Sequence, residues 1–202
     1  MARLTTEERQ RTIIDEAINI IHLEGYDSFS IRELASKVKI SEPAIYRHFL
    51  NKEDIVLGIL SRIGEFDKKL EDDLNRGKTA TEKLHRFIKF HFTFLNKNKE
   101  MTSVLFSEEI FNKSELLKEK LIRIIKYRKK LLTAIIQEGI DSKEIKDIEV
   151  GSIVTMVLGF IRLIVLEWRL GGFIFDLSKK SSDVVSAINK MILNVVRNSN
   201  SN

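Results

Sequence analysis

Between residues 28 and 52 the chain places five basic side chains, Arg32, Lys37, Lys39, Arg47 and Lys52, against two acidic ones, Glu33 and Glu42. Tyr46, His48 and the small polar residues Ser30, Ser41 and Asn51 stand among them. Guanidinium, ammonium and hydroxyl groups at this density suit the phosphates of a nucleic acid. The patch is local. Residues 1–60 carry eight Lys/Arg and ten Asp/Glu, while the whole chain has a net charge of +5. Binding therefore has to rest on a few placed donors rather than on bulk charge.

Other chemistries find no support. Cysteine is absent, which removes disulfides, thiolate metal sites and thiol nucleophiles and fits a reducing compartment. The four histidines, His22, His48, His85 and His91, include no pair four residues apart. No HExxH, phosphate-binding loop or dinucleotide glycine pattern appears. No catalytic residue, metal site or cofactor is expected. The first residues lack the apolar run of a secretory signal, so a cytoplasmic location is expected.

The elements that must carry the patch are short and well marked. Ser30 and Glu33 have the spacing of a capping box. Ser41 stands two residues before Pro43, a residue tolerated in a first helical turn. Asn51 precedes Glu53 and Asp54, which favour the positive end of a helix. Leu34, Ala35, Val38, Ile40, Ile45 and Phe49 supply the inward faces. Two short helices with a tight turn, followed by a third, make a helix-turn-helix whose second helix can enter a DNA major groove.

The remaining chain reads as helix. One proline and nine glycines in 202 residues leave few breakers. Apolar periodicity predicts helices over 7–24, 51–75, 79–97, 101–111, 113–139, 146–170 and 181–198, with Gly139 and Gly171-Gly172 as stops. Residues 198–202 form a polar tail.

The ordered set Ala17, Gly25-Tyr26, Ser30, Ile31, Leu34-Ala35, Ile40-Ser41, Ala44, Ile45-Tyr46, His48-Phe49 and Lys52-Glu53 resembles the TetR family of one-component transcriptional regulators. The resemblance covers about the first quarter of the chain. It implies an all-α fold, with a helix-turn-helix DNA-binding domain at 1–55 joined through a long helix to a helical ligand-binding and dimerisation domain at 56–202. It implies a repressor that binds a palindromic operator as a homodimer and is released by a small-molecule effector. Lys39 departs from the family, which usually has glycine there.

Carried over residue by residue, the resemblance makes Tyr46, His48 and Lys52 phosphate contacts, with Arg47 beside them. Ser30 and Asn51, at helix starts, are suited to a phosphate as well. Base reading falls to Glu42, Ala44, Arg32 and Arg47. A carboxylate accepts from cytosine, a methyl meets the thymine methyl, and guanidinium prefers guanine.

One short reading helix covers few base pairs, so a two-fold dimer reading a palindrome is expected. Its candidate helices are 146–170 and 181–198. In the first, Ile153, Val157, Phe160, Ile164 and Trp168 form a stripe; in the second, Val184, Val185, Ile188, Met191, Ile192 and Val195 do. Arg162, Glu167 and Arg169 interrupt the first, against a membrane span. No membrane partner is expected, and a helical interaction or membrane-associated protein is the alternative reading.

Six of the twelve phenylalanines fall between 87 and 111. Phe87, Phe90, His91, Phe94, Phe106 and Phe111, with Phe160 and Arg162, are the candidates for an apolar or amphipathic effector site. Lys118, Lys120, Arg123, Lys126, Arg128, Lys129 and Lys130 make one helix strongly basic, a solvated face by default.

Overall fold

The computed structural model describes residues 5–194, and the expectations for Val195 and the polar tail lie outside them. Helices dominate: α1 (Thr6–Glu24), α2 (Ile31–Val38), α3 (Glu42–Tyr46), α4 (Lys52–Leu74), α5 (Ala80–Lys97), α6 (Thr102–Leu105), α7 (Glu108–Asn112), α8 (Glu115–Asp141), α9 (Val150–Leu170) and α10 (Leu177–Ile192). A 3-10 turn, Lys99–Met101, precedes α6. Among the described residues there is no strand, only an isolated antiparallel bridge between Ile145 and Leu193.

Two compact units emerge, and neither is continuous in sequence. The first joins Met1–Asp67 to Asn98–Ile125; the second joins Lys68–Lys97 to Lys126–Asn202. The helix-turn-helix thus shares a unit with α6, α7 and the start of α8.

In the first unit, α1 buries Ile13, Ala17, Ile18, Ile20 and Ile21. The facing side chains come from Phe29, Leu34, Ile45, Phe49, Ile55, Val56 and Ile59, each buried. Gly58 is small for a reason. A Cβ there would lie 3.0 Å from Ile14 and 3.3 Å from Phe49, so a larger residue would push α4 off both. The later segment is tied on by polar contacts. Lys113 donates to Asp27 and Glu109, both at 2.7 Å, and these bonds raise its pKa. The Ser114 hydroxyl donates to Glu53, and His22 Nδ1 lies 2.9 Å from the Ser103 hydroxyl.

In the second unit, α5 packs along α10. His85 meets Asn189 at 2.8 Å, and Asn96 accepts the Leu177 amide at 2.9 Å. The Trp168 indole donates to the Phe175 carbonyl at 2.7 Å and meets the Phe173 ring edge-on. Glu144 caps α5 from a distance, accepting the Ala80 and Thr81 amides at 3.2 and 2.9 Å. Burial opposes its charge, but the Thr81 backbone bond, helped by Thr81 and Ser142 hydroxyls and the Ala80 amide, holds its carboxyl at about 2.

Several expected boundaries are corrected. The predicted helix over 101–111 is broken at Phe106-Ser107, because the Ser107 hydroxyl accepts the Ile110 amide and starts a new helix. α9 begins at Val150 rather than 146, capped by Glu149 through the Gly151 and Ser152 amides. α10 begins at Leu177 rather than 181, capped by Asp176. Gly139 does not stop α8, which continues to Asp141. It is small because a Cβ would lie 2.5 Å from Ile145 and 3.2 Å from Ala80. The α9 stripe is also rotated: Ile153, Val154, Val157, Ile161, Val165 and Trp168 are buried, while Phe160 and Ile164 are half-buried.

Candidate nucleic-acid interface and effector region

The reading face is built by local caps. The Ser30 hydroxyl accepts the Glu33 amide at 3.2 Å, starting α2; only this half of the expected capping box is formed. α2 ends at Lys39, whose φ of 58° and ψ of 45° put it in the left-handed region. The Ile40 amide reaches back to the Ala35 carbonyl at 3.0 Å, closing the turn. A non-glycine residue held in that region carries roughly 1 kcal/mol of strain. Ser41 occupies the cap position of α3, but its hydroxyl makes no capping bond.

α3 is only five residues long, and its face divides as expected. Ile45 is fully buried and Phe49 is 7 % exposed, whereas Tyr46 is 51 % exposed. Arg32, Ser41, Glu42 and Arg47 are exposed and Ala44 half-exposed. At the next helix, Asn51 Oδ1 accepts the Asp54 amide at 2.8 Å, and Asp54 in turn accepts the Leu50 amide at 2.9 Å.

Lys52, at the start of α4, is half-buried. Its ammonium donates to the Tyr26 carbonyl at 2.6 Å and sits 3.9 Å from the centre of the Tyr26 ring. Burial lowers its pKa. Carbonyl and ring face recruit the cation inward, so Lys52 pins the α1–α2 turn to the start of α4.

Ala44, Arg47 and His48 line a cleft of about 410 Å³ together with Ile40 and with Thr5, Thr6 and Arg9 from the start of α1. The last three were missed in the sequence reading. Thr5 and Glu8 form a capping box at the expected spacing, which marks where α1 begins. Nothing local signals that this end meets α3.

The effector candidates fall into both units. Phe87, Phe90, His91 and Phe94 share α5, Phe160 and Arg162 are on α9, and Phe106 and Phe111 are in the first unit. Phe111 is a core residue there. On α5, Phe87 is fully buried and lies 4.3 Å from the His91 ring, and Phe90 stacks parallel to Phe94 at 6.3 Å. His91 Nδ1–H donates to the Phe87 carbonyl at 2.7 Å. Burial first, and the Arg128 charge second, bring its pKa to about 4 against that bond. His91 is therefore neutral at pH 7 and presents Nε2 as an acceptor. Arg162 is exposed on α9, on a face shared with Leu163 and Leu166, which are 55 % and 39 % exposed.

A family profile described as bacterial regulatory proteins of the tetR family matches residues 13–59, and one described as YsiA-like protein, C-terminal region, matches residues 60–191. The chain belongs to the TetR family. It is a DNA-binding transcriptional regulator with the ligand-binding type of helical C-terminal region. This TetR-family chain is 30% identical over 178 residues to the fatty acid metabolism regulator protein of Bacillus subtilis, across 87% of this chain and 91% of the relative. It is 27% identical over 207 residues to the regulator AcrR of Shigella flexneri, covering 96% and 94%. Among solved structures, the FadR regulator of B. subtilis in complex with stearoyl-CoA superimposes with a TM-score of 0.78 at 30% identity, covering 88% of this chain and 96% of that one. FadR of Bacillus halodurans shares the fold, with a TM-score of 0.80 at 21% identity.

Proposed function

We propose that this regulator is a cytoplasmic repressor that binds a palindromic operator as a homodimer and is released by a long-chain acyl thioester of coenzyme A. One observation carries the effector class: 30% identity, over most of both chains, to a regulator solved with stearoyl-CoA. The α5 face supports it. Phe90 and Phe94, both half-buried, offer apolar and aromatic surface beside a neutral imidazole at His91, the mixture that suits an acyl chain with one polar group.

On the DNA side, Tyr46, Arg47 and His48 hold phosphates, and Arg32, Glu42 and Ala44 read bases. Ser30, Ser41 and Asn51 lie at helix starts suited to a phosphate, and Lys52 holds the start of α4 against the Tyr26 carbonyl beside them. The dimer forms through the outward faces of α9 and α10, where Leu163, Leu166 and Met191 are exposed. α9 has the length and hydropathy to cross a membrane; its exposed apolar residues are here assigned to the partner protomer.

The test is fluorescence anisotropy on duplexes selected from a random pool. Stearoyl-CoA should release the operator at concentrations where free coenzyme A and short-chain acyl-CoA do not. Equal responses to all three, or none, would remove the acyl-CoA reading and leave the DNA-binding one standing.

A further inference from the structure

The start of α1 and the end of α3 enclose a cleft whose α1 wall, Thr5, Thr6 and Arg9, lies outside the helix-turn-helix. Its polar lining comes from Thr5, Thr6, Arg9, Arg47 and His48, with the Ala44 methyl at one edge. The charge of this lining is all of one sign, because no carboxylate contributes to it. Of the two acids adjoining the lining in sequence, Glu7 does not line the cleft and Glu8 accepts from the Thr5 amide at 2.8 Å. The cations are uncommitted. Neither Arg9 nor Arg47 is in an ion pair among the described residues. Arg9 is half-buried. His48 Nδ1 is buried and has no hydrogen-bond partner, and a buried polar atom left unpaired is costly unless something else completes it. Two guanidinium groups and an imidazole around an opening of about 410 Å³ suit a hydrated tetrahedral oxyanion, and guanidinium holds such an anion in a fork.

We propose that this cleft seats a backbone phosphodiester of the operator next to the bases read by α3, which makes Arg9 a DNA contact and extends the footprint onto α1. Ala44 and Arg47 belong both to the reading face and to the cleft wall, so a strand passing α3 runs past its mouth. The inference rests on the DNA-binding reading of this face and adds to it a contact from an element outside the helix-turn-helix. The alternative source of the same anion is free phosphate.

Three measurements on the full-length protein separate the outcomes. The first is the salt dependence of operator binding by wild type and Arg9→Ala, with circular dichroism to check that both are folded. One lost phosphate contact should reduce the slope of log K against log[salt] by about 0.9, which is about eightfold in affinity at 0.1 M salt relative to 1 M. The loss should be the same on operator and scrambled duplexes, and Arg9→Lys should restore most of it. The second is ethylation interference: one modified phosphate that weakens wild type should have no effect on Arg9→Ala. The third is thermal shift with inorganic phosphate.

An unchanged slope and an unchanged interference pattern in Arg9→Ala would overturn the proposal while a Tyr46→Ala defect kept the DNA-binding reading intact. Stabilisation by inorganic phosphate that depends on Arg9, with DNA binding unaffected, would overturn it in favour of a free-anion site. Failure of wild type to bind any selected duplex would remove both readings together.

Discussion

Gly159 gives the cleanest test of the dimer. It is exposed in the middle of α9, and a Cβ built on it meets nothing within 4 Å of its own protomer. Thr155 and Leu163, one turn to either side, are exposed as well. Within the protomer Gly159→Leu should stabilise, because the Cβ has open space and replacing a mid-helix glycine by leucine gains about 0.8 kcal/mol of helix propensity. If α9 packs against its counterpart, the same side chain enters a two-fold contact twice. Overpacking of a close contact costs about 1–3 kcal/mol per site, so the pair should cost about 2–6 kcal/mol. That raises the dimer dissociation constant about 30-fold to about 20,000-fold. Sedimentation equilibrium over a concentration series would read this directly, and affinity for a palindromic duplex should fall in step. A Gly159→Leu protein that dimerises like wild type and is merely more stable would refute the placement of α9 at the interface.

Lys39→Gly should relieve the left-handed strain of about 1 kcal/mol but add freedom to the unfolded chain. A rise in melting temperature of about 1–2 °C is expected, and a fall would show that the turn is not strained. Glu144 keeps its carboxylate in the folded chain down to about pH 2 instead of 4.5, so its stabilisation is full above pH 4.5 and lost as the pH falls from there to 2. Glu144→Gln should therefore cost about 1–2 kcal/mol at pH 7, allowing for solvent screening, and almost nothing near pH 2. Urea melts at the two pH values compare them, and equal penalties would show that the charge is not the cause. His91 titrates at about 4 when folded against 6.5 ordinarily. The unfolded chain takes up a proton first on acidification, so stability should decline from pH 6.5 to 4 and then level. His91→Gln should flatten that part of the melting-temperature profile; an unchanged slope would place its origin elsewhere.

What could be read from the chain was what local chemistry determines. Asn51 caps α4, and Ser30 caps α2, because a side-chain oxygen three residues before a free amide needs no tertiary partner. Ile45 and Phe49 against Tyr46 follow from helical spacing alone. What could not be read is tertiary. Lys52 donates to the Tyr26 carbonyl, twenty-six residues away, and no local pattern announces a carbonyl and a ring waiting there. Glu149 is an uncommon capping residue, so the start of α9 was placed early. Ser107 is one of several polar residues between 101 and 111, and only its bond to the Ile110 amide makes it a boundary. The aromatic face of α5 is legible as a helical wheel, with Phe90 stacked on Phe94 four residues on.

The reading head is assembled from two stretches of chain that are synthesised far apart. α1 packs against the 3-10 turn and α6, where Met101 and Val104 are buried, and Lys113 and Ser114 reach back to Asp27 and Glu53. On a ribosome adding about 5–20 residues per second, the interval between Asp67 and Ile125 is on the order of 3–12 s. For that time the nascent helix-turn-helix has its caps and its own core but an uncovered α1 flank. A fragment cut after Asp67 would keep that flank open permanently, so the DNA-binding half of this protein is complete only once nearly two-thirds of the chain has been made.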